Sequence, residues 1–179
     1  VVVLDGNGSM SPTSRYCCLS EGTTLNQKVN DLFGILLERN NTTKDALEKG
    51  EKPPQFHTII CIINSFVDLN IQLTDDSQSK LSALLEKGES SYNVYFFLGE
   101  TSPNMASYST RSWYKKHITL ENWIWIGNGF KNRYQVSEDQ GEEDLPDSIG
   151  DDCGYVFKNG KATLVKLLTS AGEKGEKRI

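Results

Sequence analysis

The chain has 179 residues, 37% of them hydrophobic and 24% charged, with a formal net charge of -5; this is length for one domain with a full core and short for two. No apolar run approaches the roughly 20 residues that a membrane-spanning helix needs, and the opening VVVLDG lacks the basic and small-residue flanks of a signal peptide, so it reads as a core strand cut from a larger protein. Eight of the 24 acidic residues lie between Glu138 and Asp152 with no Lys or Arg among them, leaving 19 basic against 16 acidic groups elsewhere; neither part is the basic surface that nucleic acid requires.

Val1 to Leu4 is a β-branched, apolar run that stops at Asp5-Gly6-Asn7-Gly8, a buried strand delivering its carboxyl end into a glycine-permissive loop. Ligand sites of α/β sheets gather at such ends. Leu25, Val29, Leu32, Phe33, Leu36 and Leu37 then follow the spacing of an amphipathic helix, with Thr23 or Thr24 as N-cap and Asn40-Asn41 as the stop. A short helix over Lys44 to Lys49 is closed by Gly50 and blocked by Pro53-Pro54. Phe56 to Ile63 is apolar on both alternations apart from His57 and Thr58, the pattern of a central strand covered on both faces, and it ends in Asn64-Ser65-Phe66. A helix over Asp76 to Lys87 with Gly88 past its end leads to a strand over Asn93 to Leu98, then Gly99-Glu100. A helix around Trp113 to His117 and a strand over Trp123 to Ile126 make a third unit. Three strand-helix-strand steps predict a parallel sheet with right-handed crossovers. Asn159-Gly160 joins two β-patterned runs into a terminal hairpin, expected to decorate the sheet edge. The expected domain is 1–169, with a polar tail over 170–179.

The four cysteines, Cys17, Cys18, Cys61 and Cys153, form no CxxC pair, and His57 and His117 are the only histidines. This argues against zinc and for a reducing compartment.

A phosphate-loop motor needs GxxxxGK[ST], whose backbone N–H groups cradle phosphates, and an acidic end to a buried strand that holds the metal and the attacking water. The only Gly-Lys pair, Gly160-Lys161, precedes Ala162 and belongs to the hairpin turn. At the end of IICII, Asn64 and Ser65 stand where the two acids would, and neither is a carboxylate. The loop offers a second reading: Asp5, Asn7 and Ser9 match the DxSxS spacing of a magnesium-dependent adhesion site, with Asn in place of the middle Ser. Trp113 and Trp125 are candidates for partner contact, since aromatic side chains dominate interface hot spots, with core packing as the competing role.

In order and spacing, LDGNGSM, the helix to Arg39, IICIINSF, DDSQSKLSALLEKGESSYNVYFFLGE, IWIGNGF and GYVFKNGKATLVKLL resemble the last ATPase-like domain of EssC/EccC proteins. These are membrane-anchored FtsK/SpoIIIE-family proteins of type VII (ESX) secretion, and the resemblance spans Val1 to Leu168. It implies a RecA-like, P-loop-NTPase-like parallel sheet flanked by helices, with the phosphate-loop strand ahead of Val1. It implies a degenerate domain that recognises substrates without hydrolysing nucleotide, ATP and magnesium being handled by the parent motor's other domains. The partners implied are helical-hairpin substrates of the WXG type, the neighbouring domains, and further copies of the parent in a ring at the cytoplasmic face of the bacterial membrane. In this reading Asn64 and Ser65 mark the lost acidic site, Asp5, Asn7, Ser9, Gly99 and Glu100 line a strand-end pocket, and there is no catalytic residue and no metal. The competing class is a von Willebrand A-like module binding a ligand through magnesium; an active DNA translocase is disfavoured by the missing acids.

Overall fold

The structure, a computed structural model, describes residues 1–10, 24–119, 122–132, 145–159 and 161–167. The chain divides into two compact units, Val1–Trp113 and Tyr114–Ile179, where the sequence reading expected one domain over 1–169. Each unit is built around its own sheet.

In the first unit, strands β1 (Val2–Asp5), β2 (Ile59–Asn64) and β3 (Val94–Gly99) pair in parallel in the order β1-β2-β3. Val2, Cys61 and Phe96 stand in register, as do Leu4, Ile63 and Leu98. This set faces helices α1 (Leu25–Glu48) and α3 (Asp75–Tyr92), whose Val29, Leu32, Leu36, Leu81, Leu84 and Leu85 are buried. Burial pushes the Cys61 thiol up to about 12, so it behaves as a small hydrophobe of the core. The alternate positions, Val3, Ile60, Ile62, Tyr95 and Phe97, occupy the opposite face, where Phe97 is 62% exposed.

Three boundaries differ from expectation for local reasons. Helix α1 runs through Asn40-Asn41 and absorbs the predicted second helix. Asn is only a modest helix former, not a breaker, and here Asn40 accepts from Tyr92 Oη at 2.7 Å while the Thr42 and Thr43 hydroxyls donate to the Glu38 and Arg39 carbonyls, both at 2.8 Å. The helix ends where Gly50, at φ +71°, lets Gly50 N–H reach Leu47 O and Glu51 N–H reach Ala46 O. Gly88 lies inside α3, not past its end. A Cβ there would stand 3.1 Å from the Phe96 ring and 3.2 Å from Val94 O, so the glycine permits close helix-sheet approach, and Asn93, at φ +59°, caps the helix instead. Strand β2 begins at Ile59 and not Phe56, because the Phe56 carbonyl accepts from Asn93 Nδ2 and the His57 carbonyl from Arg39 Nη2.

Short helices α2 (Phe66–Gln72), α4 (Ser102–Ala106) and α5 (Ser112–His117), with a 3-10 turn over Phe130–Asn132, complete the helical inventory among the described residues. Thr24 and Thr74 cap α1 and α3.

The second unit corrects the predicted topology. Strand β4 (Ile124–Ile126) does not extend the parallel sheet; it pairs antiparallel with β5 (Cys153–Lys158), which pairs antiparallel with β6 (Lys161–Lys166). The hairpin is therefore two-thirds of a separate sheet and not an edge decoration. Gly154 makes the pairing feasible: a Cβ there would meet the Trp125 carbonyl oxygen at 2.4 Å. Phe130, Tyr155 and Phe157 form the core, with Trp123, Trp125, Leu145, Ile149 and Ala162 packed against it. The expected turn is present with Asn159 at φ +52°; Gly160, residues 138–144 of the acidic stretch and the tail lie outside the described residues.

The asymmetry of the first sheet yields a contrast in stability. Leu84→Ala, at a fully buried position, is expected to cost about 2–5 kcal/mol, whereas Phe97→Ser is expected to change stability by no more than about 0.5 kcal/mol; urea unfolding of the two variants against the parent chain checks both.

Candidate functional site

Parallel pairing brings three chain ends to one place. Asp5, Asn64 and Gly99 are directly in register at the carboxyl ends of β1, β2 and β3, on the face opposite α1 and α3. The ladder continues past the strands, with Gly6 N–H donating to Asn64 O at 2.8 Å and Ser65 N–H to Gly99 O at 2.9 Å.

Asn64 is the centre of this end. Its amide nitrogen donates to Asp5 Oδ1 at 2.9 Å, Asn7 Oδ1 at 3.0 Å and Ser9 Oγ at 2.9 Å. The loop is tied further by Ser9 N–H donating to Asn7 Oδ1 at 3.0 Å and Met10 N–H to Asp5 Oδ2 at 2.8 Å. The three residues singled out by the adhesion-type spacing thus converge on a single point, and that point is occupied by a side-chain nitrogen from the next strand.

Immediately after, Ser65 takes φ +54°, ψ +70°, a conformation rare for a residue with a side chain. It turns the chain sharply from β2 into α2, and its hydroxyl donates to Asp68 Oδ2 at 2.5 Å. The turn leaves room for nothing at residue 6. A Cβ on Gly6 would lie 2.3 Å from Ser65 O and 2.4 Å from Leu69 N, both backbone atoms.

Glu100 secures the third loop to the second. One carboxylate oxygen accepts from Val67 N–H, in the first turn of α2, at 3.0 Å; the other accepts from Thr101 N–H at 2.7 Å and Asn104 Nδ2 at 3.0 Å. Burial works to raise its pKa, but these donors together outweigh it and hold the carboxyl below its ordinary value.

All five predicted strand-end residues therefore meet at one end of one sheet. The tryptophans do not join them. Trp113 is 3% exposed and packs on Phe66 and Tyr108 at ring separations of 5.3 and 5.9 Å. Trp125 packs on Phe130 in the second unit and donates from Nε1 to Gly127 O at 3.0 Å. Both rings are engaged in core packing. What sequence reading missed is the convergent role of the Asn64 amide, the steric demand on Gly6 and the capping by Glu100; the DGNG run and the Asn closing an apolar strand were the available signals.

The donor set does not fit a magnesium-nucleotide site. Residues 64 and 65 bring no carboxylate, and Asn64 turns N–H hydrogens, not a lone pair, toward the oxygens that could ligate a cation. Among the described residues no three His, Cys, Asp or Glu side chains gather at one point, and no helix is long and apolar enough to cross a membrane.

No protein-family profile matches the sequence, and no curated protein matches it. A solved structure, the cytoplasmic domain of EssC, is similar in fold, with a TM-score of 0.68 over 92% of this chain at 10% identity. The chain spans about a third of that structure's length, 32%.

Two variants probe the site's construction. Gly6→Ala must displace backbone at the β2–α2 turn and is expected to destabilise the fold by about 1–3 kcal/mol, read by thermal or urea unfolding. Because the folded-state pKa of Glu100 is depressed, its contribution is present above the ordinary carboxyl value of 4.5 and is lost as pH falls through the lower folded value. Stability of Glu100→Gln should accordingly vary less with pH than that of the parent chain below about pH 4.5; parallel denaturation curves between pH 3 and 7 test this.

Proposed function

We propose that this chain is a non-hydrolytic, ATPase-like domain of a type VII secretion motor, acting in substrate recognition and in regulating export. Its fold likeness to the EssC cytoplasmic domain supports the motor context. The observation that carries the non-hydrolytic part is the Asn64 amide, bonded into the Asp5–Ser9 loop at the strand end where a motor of this class needs an acid. With no carboxylate at residues 64 and 65, and with the Asp5 and Glu100 carboxylates taken up by N–H donors, this strand end serves as a scaffold.

In this reading the parent protein is anchored in the bacterial membrane and presents the domain on the cytoplasmic side. Turnover of ATP with magnesium belongs to its other domains, which this one contacts within a ring of several copies. The substrates are helical-hairpin proteins of the WXG type, bound through a carboxyl-terminal signal. The loops Asp5–Ser9, Asn64–Phe66 and Gly99–Glu100 are held rigidly enough to present a fixed surface, since each is bonded to its neighbour and not only to itself.

The spacing of Asp5, Asn7 and Ser9 gives a second reading, a von Willebrand A-like module that binds protein through magnesium, in which the ion would have to displace the Asn64 amide from the point where the three oxygens converge. The two readings differ in their metal requirement.

Calorimetric titration of the chain with the carboxyl-terminal signal peptide of a WXG-type substrate, in EDTA and again with magnesium, is the test. Saturable binding in EDTA without ATP turnover is the expected result. Steady-state hydrolysis abolished by Asn64→Ala would overturn the non-hydrolytic assignment, and binding that appears only with magnesium would replace it with the adhesion-type reading.

A further inference from the structure

Three oxygens of different chemical origin, a carboxylate, an amide carbonyl and a hydroxyl, stand 2.9, 3.0 and 2.9 Å from Asn64 Nδ2. A primary amide has two N–H hydrogens, so three acceptors cannot each receive one and at least one bond is shared. The arrangement is thus a convergence of oxygens on a point, as in the shell of a hard cation, more than a set of matched donor–acceptor pairs. All three are the ligand types that calcium and magnesium take. Among the described residues no ion pair to Asp5 occurs, and its carboxylate accepts from the Asn64 amide and the Met10 N–H.

The oxygens come from alternate residues of one loop, so whatever holds them together sets the loop's conformation. Within the loop Gly8 stands at φ +70°, with nothing within 4 Å of a Cβ placed on it. Calcium–oxygen distances of about 2.3–2.6 Å would require the oxygens to close in by roughly half an ångström. In the native chain the central point is filled from β2 by a neutral group that cannot leave without breaking its own three contacts.

We propose that the Asn64 side-chain amide is a built-in substitute for a cation, which holds the Asp5–Met10 loop in one conformation without metal, and that replacing it with a carboxylate makes this conformation depend on a divalent cation. The strand-end surface is then constitutive: it neither waits for an ion nor responds to one. This inference is independent of the docking reading, because it concerns the loop and is read without any partner.

Amide hydrogen exchange by NMR supplies the test, since the Ser9 and Met10 N–H groups are bonded to Asn7 and Asp5 within the loop. In the parent chain, exchange at both should be the same in EDTA, in millimolar calcium and in millimolar magnesium. In Asn64→Asp the second carboxylate faces Asp5, so exchange in EDTA should accelerate about tenfold or more and slow again when calcium or magnesium is added. Restoration should fail in the double variant Asp5→Asn, Asn64→Asp. Should Asn64→Asp not fold, Asn64→Gly empties the same point without adding charge and is read the same way, with faster exchange in EDTA and recovery in calcium. A parent chain whose loop exchange responds to either ion would overturn the proposal by showing that a cation displaces the amide. So would variants that keep full protection in EDTA, or variants whose lost protection neither ion restores.

Discussion

The parallel register of β1, β2 and β3 is the constraint on which the rest of the first unit depends. Pairing Asp5 with Asn64 and Asn64 with Gly99 decides at once which side chains face α1 and α3 and which three loops meet. A slip of one residue would put Ile62 and Phe97 where Ile63 and Leu98 stand and would turn Asn64 toward the helices. The core is therefore what fixes the site. Leu4 and Ile63, fully buried, define the register, and the polar residues one step further on inherit their positions from it.

Within that frame the strand ends are secured by reciprocal bonds between consecutive loops. The first is tied to the second by Asn64 and by Gln72, whose amide donates to Gly6 O; the second is tied to the third by Ser65 N–H and by Glu100. Each loop satisfies the polar backbone groups of its neighbour, so none can move without stranding a donor or acceptor of another. This coupling explains why the crowding at Gly6 is tolerated. The sharp turn at Ser65, with its uncommon backbone, places the start of α2 against residue 6, and only a residue without a side chain can stand there.

Much of this was legible in the sequence because it is written locally. Strand and helix periodicities, the Thr caps, Gly50 and the Asn159-Gly160 turn each act over a few residues. The set Asp5, Asn7, Ser9, Asn64, Gly99 and Glu100 was legible as strand ends, since the ends of parallel strands must lie together. The errors arose where tertiary partners overrode local signals. Asn40-Asn41 looked like a stop until Tyr92 reached across to bond Asn40. Gly88 looked like a cap, but its missing side chain serves packing on Phe96. The strand over residues 124–126 looked like the third member of an alternating series. Periodicity describes which face a strand buries and is silent on its partner, and here the partner is β5, chosen by the fit of Trp125 against Gly154 and of both indoles against Phe130, Tyr155 and Phe157.

An amide at position 64, where a carboxylate would be of similar size, decides the geometry of this end. Asp5 and a second acid at the same distance would repel each other unless a cation intervened, so a fold with acids at both positions depends on metal for the geometry of this end. An asparagine removes the repulsion, adds two donors and makes the geometry a property of the chain alone. The group that turns N–H hydrogens toward these oxygens is the group that holds the loop. A fixed conformation lowers the ordering cost of binding for any partner that docks at such a surface. The acids that remain at this end, Asp5 and Glu100, are each met by N–H donors, so its geometry rests on hydrogen bonds within the chain.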